Sequence, residues 1–277
     1  MNRVDAYPFA DLALARRLER GEALANVDFV NGRALAFPES RAEWMELGGT
    51  YAMFDGPTSP ATQTFALGMS EPVAEASLDE LEDFFLSRGA QVFHEVCPHA
   101  DASAPTLLSE RGYQPIEFSN VLYRPIVRDL RLIAGSSKTI KIRAIDPHEH
   151  ELWARTAALG WSAFEGLGEF MQQLGEINAK RSALCFLAEL NGEPIATGAL
   201  NIADGVAILA GASTIPAARR QGAQLALLEF RLRYAAKHRC DIALMAALPG
   251  SASQRNAERH GFRIAYTRTK WHLPLTQ

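Results

Sequence analysis

The sequence has few cysteines, no long apolar run and no excess of basic residues, and each absence disfavours a class of protein. Cys97, Cys185 and Cys240 lie far apart and are odd in number, which is not a disulfide framework. No stretch approaches the roughly 18 apolar residues that a membrane-spanning helix needs. Lys and Arg total 28 against 32 Asp and Glu, for a net charge of −4. That balance disfavours binding through nucleic-acid phosphates.

The chain does have enough apolar content for ordinary folded cores. Its 277 residues are 48% hydrophobic, and this length suits one large domain or two small ones. Charged residues interrupt every apolar stretch of residues 1–23, so we expect no secretory signal. We therefore expect a soluble, cytoplasmic globular protein with no membrane or nucleic-acid partner.

A short pattern occurs twice and predicts two homologous halves. In residues 109–118 and 257–266 a Glu-Arg pair is followed by a glycine, an aromatic residue and a strand-like run. Gly112 and Gly261 each precede a proline by 13 residues. This repeat predicts one domain over residues 1–130 and another over 138–277, joined by a small, polar segment that ends near Lys138.

Hydrophobic periodicity predicts mixed α/β structure in both halves. In the C-terminal half, Asn191-Gly192 and Asp204-Gly205 are typical hairpin turns between strands, and a helix is expected from Gln221 to His238. The final strand is predicted over Phe262–Leu273. In the N-terminal half we predict, among other elements, a helix over Phe9–Ala23 and a helix over Ser77–Ser87 that opens with a capping box.

The segment from Ser213 to Leu225 has the composition of an anion-binding loop. A strand ends, a proline starts a turn, Arg219 and Arg220 follow, and Gly222 lies where a helix begins. The first turn of a helix has amide groups without intrahelical partners, and its dipole adds positive charge there. A glycine lets a bulky anion approach the backbone. The loop therefore predicts a diphosphate-binding site, with an ordinary helix start as the alternative.

This loop resembles the pyrophosphate-binding motif of the GNAT acyltransferases, usually written Arg/Gln-x-x-Gly-x-Gly/Ala. Here it reads Arg219-x-x-Gly222-x-Gln224. The strand–helix order around it and the Gly-Phe ending of the helix over residues 251–262 are also similar to that family. The resemblance implies an α/β (α+β) fold of two tandem GNAT-like domains, each a mixed, mostly antiparallel twisted sheet flanked by helices. It also implies acetyl-CoA, or another acyl-CoA, as co-substrate, and no metal.

The resemblance assigns cofactor contacts and an activity. The implied acyl-CoA contacts are Ala212, Ser213, Thr214, Arg219, Arg220, Gln221, Gly222, Ala223, Gln224 and Asn256. The implied reaction is direct transfer of the acyl group to the amine of a small molecule or amino acid. A monomer or a homodimer is expected. The alternative is a non-catalytic acyl-CoA sensor or scaffold with the same fold.

Two positions depart from the family pattern. The last position of the motif is normally Gly or Ala, and here it is Gln224. Many members also carry a tyrosine, acting as general acid, where this chain has Ala257. That role therefore cannot be transferred.

The residues that could move protons or contact the reacting groups are Glu165, Asn256 and Ser253. Glu165 and Glu169 lie in a helix that lines the acceptor site in the family, with a solvated helix face as the alternative. Ser253 and Asn256 lie in the last helix, near where the family places the thiol. Ser251 in the same helix can instead be an N-cap.

The N-terminal half lacks the loop. After its corresponding strand come Glu71 and Glu75, with no glycine loop and no arginine. Carboxylates there would repel a diphosphate, so we expect a GNAT-like fold that has lost its cofactor site. His94-x-x-Cys97-x-His99 has metal-binding residue types, but only on one strand end, so we expect no metal there.

Overall fold

The computed structural model describes residues 7–127, 139–161 and 168–274. Contacts within the chain divide it into two compact units. The N-terminal unit comprises Pro8–Leu122, Ala246–Gln254 and the described residues 264–274. The C-terminal unit comprises Tyr7, the described residues within Tyr123–Met245, and Arg255–Arg263. The predicted division into 1–130 and 138–277 stays a prediction.

Helices and strands alternate along the chain. The first elements are α1 (Leu12–Ala36), β1 (Glu43–Leu47), β2 (Thr50–Phe54), β3 (Gln63–Phe65), α2 (Glu75–Leu86), β4 (Phe93–Val96), α3 (Ser103–Glu110) and β5 (Gln114–Pro125). They are followed by β6 (Ile140–Ala144), α4 (His150–Trp161), α5 (Gly168–Asn178), β7 (Leu184–Leu190), β8 (Glu193–Ala203), β9 (Val206–Thr214), α6 (Ala223–Lys237), β10 (Ile242–Ala247), α7 (Ala252–Arg259) and β11 (Arg263–His272).

The sheet of the N-terminal unit has the strand order β1-β2-β3-β4-β11-β5. The pairs β1/β2 and β2/β3 are antiparallel, β3/β4 is parallel, and α2 makes the connection between β3 and β4. The last strand of the chain, β11, pairs antiparallel with β4, and Thr269 lies opposite Val96. The core under this sheet includes Leu78, Phe85 and Leu108.

The sheet of the C-terminal unit repeats that arrangement. β6, β7, β8 and β9 pair antiparallel in sequence, and β9 pairs parallel with β10 after the crossover helix α6. Each unit thus has an antiparallel meander followed by one parallel pair. This observation confirms the predicted mixed, mostly antiparallel sheet flanked by helices.

Local predictions succeed where turn chemistry is strong. Asn191-Gly192 and Asp204-Gly205 both form hairpin turns, with φ of 55° and 86° in the first and 48° and 76° in the second. These positive values at both central residues are those of type I′ turns, which Asn-Gly and Asp-Gly favour.

Both helices predicted in the N-terminal half are present, but the predicted end of the first and the predicted capping box of the second are wrong. α1 continues to Ala36 because Val27 and Val30 extend the buried face that Leu14 and Leu18 begin. α2 begins at Glu75, so Ser77 lies inside the helix, and the N-cap residue Ala74 forms no side-chain capping bond.

Among the described residues, no helix combines the length and the apolar character that crossing a membrane requires.

Candidate functional site

The loop between β9 and α6 has an unusual backbone. After Thr214 the chain makes a short 3-10 turn over Pro216–Ala218. Arg220 then has φ +66°, and Gly222, the residue before α6, has φ +88°. Left-handed backbone is uncommon for an arginine and favours glycine at the second position. A glycine at residue 222 is therefore favoured by its left-handed backbone as well as by the space that an anion needs.

The loop directs positive charge to the start of α6. The first turn of the helix contains no acidic residue, and no described side chain caps Gly222. The first amides of α6 therefore lack intrahelical partners. Arg219, Arg220 and Gln221 are exposed beside them. Free amides, a helix dipole and two guanidinium groups fit the charge of a diphosphate.

Arg219 connects the loop to α4. Its Nη2 donates to the Gly160 carbonyl at 3.1 Å, and its Nε lies 3.4 Å from the Thr214 carbonyl. Gly160 is in the last turn of α4, where a cation stabilises the negative end of the helix dipole. The contact fixes the entry to the loop relative to α4.

Gln224 binds the ends of β8 and β9. Its Nε2 donates to the Ser213 carbonyl at 2.6 Å, and it lies 3.0 Å from Thr214 Oγ1 and 3.3 Å from the Thr197 carbonyl. The long side chain that departs from the family pattern is therefore occupied by the strands.

β9 has an unpaired edge beyond its contact with β10. The parallel pairing with β10 ends where Leu244 lies opposite Ile208, whereas β9 continues to Thr214. The Ile215 amide donates to the Ile195 carbonyl at 3.0 Å, so Ile215 faces β8. Because backbone groups alternate along a strand, Ser213 also faces β8, and Ala212 and Thr214 face the opposite edge.

β9 contains a bulge that the sequence interpretation missed. The register shifts between the pair Thr197/Ser213 and the pair Ala199/Ala210, so Gly211 and Ala212 lie opposite Gly198. We call these three residues the β9 bulge. Gly211 has φ +60°, as the first residue of a G1 bulge requires. The sequence signal was the presence of glycines inside both neighbouring strands.

Arg231 is a buried cation beneath the bulge. Its Nη1 donates to the Ala199 carbonyl at 2.9 Å and to the Ala210 carbonyl at 3.0 Å, and its Nε donates to the Leu227 carbonyl at 3.2 Å. Within the described part of the chain, no carboxylate forms an ion pair with it. Burial lowers the pKa of Arg231 to about 10, which still leaves it charged at neutral pH.

The candidate catalytic residues are placed as follows. Glu165 lies outside the described residues, and so does the side chain of Glu169. Ser253 is exposed and Asn256 is half-buried, both on α7. Ser251 accepts the Gln254 amide at 3.2 Å, which is the N-cap contact.

Ala257, at the position where many GNAT enzymes have a tyrosine, is fully buried. No hydroxyl is available there to protonate a leaving thiolate.

The corresponding loop of the N-terminal unit is filled by its own neighbours. A Cβ at Gly48, in the turn between β1 and β2, would lie 2.2 Å from Glu71 Oε1. The Val73 amide donates to Ser103 Oγ at 2.8 Å, and the Asp101 amide donates to the Gly68 carbonyl at 2.8 Å. The segments that follow β3 and β4 therefore contact each other directly.

His94, the residue of the His-Cys-His motif that lies in β4, is part of a buried hydrogen-bond network. His94 Nδ1 lies 2.8 Å from Thr64 Oγ1, and its Nε2 lies 3.1 Å from the Tyr113 hydroxyl. Burial lowers the pKa of His94 to about 3, so the ring is neutral. No group of three or more His, Cys, Asp or Glu residues in the described chain could hold a metal ion.

Comparisons with known proteins agree with this geometry. Residues 150–262 match the family model described as the acetyltransferase (GNAT) family. A search of the curated protein sequences finds no match. Residues 150–262 include the loop between β9 and α6, together with α6 and α7.

Solved structures share the fold across most of the chain. A GCN5-related N-acetyltransferase from Kribbella flavida is 20% identical, with a TM-score of 0.65 over 89% of this chain and 96% of that one. A tandem GNAT protein from the clavulanic acid biosynthesis pathway is 13% identical, with a TM-score of 0.59 over 96% of each chain. A GCN5-related N-acetyltransferase from Sphaerobacter thermophilus is 14% identical, with a TM-score of 0.56 over 84% of this chain and 75% of that one.

Proposed function

We propose that the chain transfers an acyl group, most simply acetyl from acetyl-CoA, directly to the amine of a small molecule or amino acid, because residues 150–262 match the model of the GNAT acetyltransferase family. The observation that carries the proposal is the uncapped start of α6 beside two exposed arginines. We propose one working site per chain, in the cytoplasm, in a protein that is a monomer or a homodimer.

The chain's own residues can bind and orient the donor. The amides of Gly222, Ala223 and Gln224, with Arg219, Arg220 and Gln221, are proposed to hold the diphosphate of acetyl-CoA. The edge of β9 at Ala212 and Thr214, which does not pair with β10, is proposed to hydrogen-bond the amides of the pantetheine arm. Ser213 faces β8, so its contribution is to fix this edge.

The proposed reaction forms one bond and breaks one. The amine nitrogen attacks the thioester carbonyl, a C–N bond forms, the C–S bond breaks, and the thiolate leaves with the electron pair. Positioning the two reactants can supply about 7 to 11 kcal/mol of the rate enhancement. The fixed loop and strand edge are suited to that role.

The proton of the amine has to be transferred during the reaction. An alkyl ammonium group has a pKa of about 10, so a base or a water relay is needed at neutral pH. We propose Glu165 for this role, and Asn256 or Ser253 for a hydrogen bond near the thiol. A thiol with a pKa of about 8.5 leaves without strong acid assistance, which is compatible with Ala257 in place of the tyrosine.

The N-terminal unit is proposed to have no cofactor site. Glu71 lies over the turn at Gly48, and Ser103 and Asp101 bond to the segment after β3. Opening this space would require breaking both hydrogen bonds. We propose that this unit supports the working domain through its fold.

The alternative function is a non-catalytic acyl-CoA sensor, and one observation favours it: the fully buried Ala257 removes the usual acid. Release of free thiol from acetyl-CoA, measured across a broad panel of small amines and amino acids, distinguishes the two. We expect amine-dependent release with at least one member of the panel. Tight acetyl-CoA binding without turnover on any amine would favour the sensor.

A further inference from the structure

Two side chains of α6 bind the strands on opposite sides of the β9 bulge. Gln224 and Arg231 are seven residues apart, which places them on one face of the helix, two turns from each other. Gln224 reaches the carbonyls of Thr197 and Ser213. These two residues are the last register pair on one side of the bulge.

Arg231 makes the same contact on the other side. Its Nη1 donates to the carbonyls of Ala199 and Ala210, which form the first register pair beyond the bulge. Each side chain thus bridges both strands at one edge of the irregularity. Hydrogen bonds from a buried guanidinium are stronger than those between neutral groups.

Gly198, the residue that β8 contributes to the bulge, leaves room for the guanidinium of Arg231. A Cβ on Gly198 would lie 2.9 Å from Arg231 Cζ, closer than real contacts allow. Gly198 does not have a positive φ, so its backbone would accept alanine. The space taken by the guanidinium therefore explains why a glycine is needed there.

A third contact fixes the peptide within the bulge. Thr197 Oγ1 donates to the Gly211 carbonyl at 3.0 Å. Ala210 and Gly211 are nevertheless exposed in a strand that is otherwise largely buried. The bulge therefore presents backbone groups to solvent from a position held by buried side chains.

We propose that Gln224 and Arg231 are positioning residues for acyl transfer, whose side chains hold the β9 bulge and, with it, the neighbouring edge of β9 that is proposed to carry the donor. This inference rests on the proposed function. Neither side chain is proposed to touch the donor. The side chain of Gln224 faces the carbonyls of the strands, although its backbone amide belongs to the anion-binding loop, and the side chain of Arg231 lies buried beneath them. Their effect is on the geometry of the β9 backbone that is proposed to bind the donor.

The test uses substitutions that disturb the bulge and keep the anion-binding loop. Gln224→Ala installs a residue that the family motif normally has. Gly198→Ala displaces the guanidinium without removing it. Arg231→Met and Arg231→Lys separate the loss of the side chain from the loss of its bridging geometry. Arg233→Met is the matched control, because Arg233 is exposed on the same helix and pairs with Glu229.

We expect kcat to fall about ten- to a hundredfold in Gln224→Ala and Gly198→Ala, since small misplacements of catalytic geometry have effects of this size. The Kd for acetyl-CoA should change less than about twofold, because the diphosphate contacts remain. Arg231→Lys should recover part of the kcat lost in Arg231→Met. Amide hydrogen exchange at Gly211 and Ala212 should accelerate in each variant and stay unchanged in Arg233→Met.

Three results would overturn the inference. Wild-type kcat in both Gln224→Ala and Gly198→Ala would show that the contacts do not matter for transfer. A joint loss of kcat, acetyl-CoA affinity and melting temperature would assign them a purely structural role. An absence of turnover by the wild-type protein would overturn the proposed function and this inference together, whereas the first two results leave the proposed function standing.

Discussion

Gly160 of α4 lies directly against Ser213 of β9, so that a Cβ at residue 160 would be 2.2 Å from Ser213 Oγ and 2.8 Å from the Thr214 amide nitrogen. The same glycine offers its carbonyl to Arg219. This close approach joins the helix to the strand edge and the loop that are proposed to bind acetyl-CoA.

Replacing this glycine should therefore affect both stability and binding. We expect Gly160→Ala to lower the free energy of unfolding by about 1 to 3 kcal/mol, as overpacked sites typically do. It should also weaken acetyl-CoA binding, since Thr214 and Arg219 would shift. Denaturant unfolding and calorimetry check the two effects. Arg155→Ala, at an exposed position of α4, is the control; a Gly160→Ala protein that matches it in both measurements would contradict the contact.

A tyrosine at residue 257 should not restore the family's general acid. Ala257 is fully buried, so Ala257→Tyr places a large ring in a packed core. We expect a loss of stability of roughly 1 to 3 kcal/mol or more, with no gain in kcat. Arg255→Tyr, exposed on the same helix, controls for helix propensity. A faster Ala257→Tyr enzyme of unchanged melting temperature would show that our placement of this position is wrong.

Asn256 is the proposed hydrogen-bond partner of the donor on α7. Asn256→Ala should raise the KM for acetyl-CoA about three- to tenfold, as expected from the loss of one hydrogen bond between neutral groups. Initial rates at varied acetyl-CoA concentrations measure the effect, with Arg259→Ala as the control on the same helix. If KM stays at the wild-type value, the role does not belong to Asn256, and Ser253→Ala becomes the variant to measure.

Glu19 on α1 should make the protein less stable as the pH rises. Glu19 accepts the Tyr266 hydroxyl at 2.7 Å and lies 3.4 Å from Arg268, both on β11. Burial raises the pKa of Glu19 to about 7, although Arg268 opposes the shift. The folded protein therefore holds this proton more tightly than the unfolded chain. Stability contributed by the protonated form is present below the unfolded pKa of 4.5 and is lost as the pH rises towards 7.

Glu19→Gln removes that dependence. We compare the free energy of unfolding of the variant with that of wild type at each pH. This difference should be more favourable to the variant at pH 8 than at pH 4, by up to about 3 kcal/mol. Urea unfolding across this range measures the difference. His94, whose pKa is lowered, changes the free energy of unfolding with pH in the opposite direction. Because His94 is present in both proteins, its contribution cancels when their free energies of unfolding are subtracted. Glu80→Gln, exposed on α2, should follow wild type at every pH; a Glu19→Gln curve parallel to it would contradict the assignment.

Much of the fold could be predicted from the sequence because its signals are local. The hairpins at Asn191-Gly192 and Asp204-Gly205 follow from turn residues alone, and α6 follows from the spacing of its apolar residues. The pairing of β11 with β4 was not predicted, since a strand's neighbours depend on contacts distant in sequence. β1 was missed because most of its residues are exposed and show no apolar alternation.

The candidate site could also be predicted only in part from the sequence. The anion-binding loop could be predicted because a glycine, two arginines and a helix start are adjacent in the chain. The β9 bulge could not, because it depends on the register between β8 and β9 and on a buried arginine that a periodicity argument treats as surface. The roles of Gln224 and Gly198 are visible only in the folded chain, where the neighbours of each residue are known.

The most direct test of the account is calorimetric titration of the wild-type chain with acetyl-CoA, with Gly222→Glu and Gly192→Glu measured alongside. The two glycines are matched, since both have positive φ, 88° and 86°, but Gly192 lies at a hairpin tip with nothing within 4 Å of a Cβ. We predict one acetyl-CoA per chain for wild type and Gly192→Glu, and no binding for Gly222→Glu. Equal heats from all three proteins, or two molecules bound per chain, would contradict a single site at the start of α6.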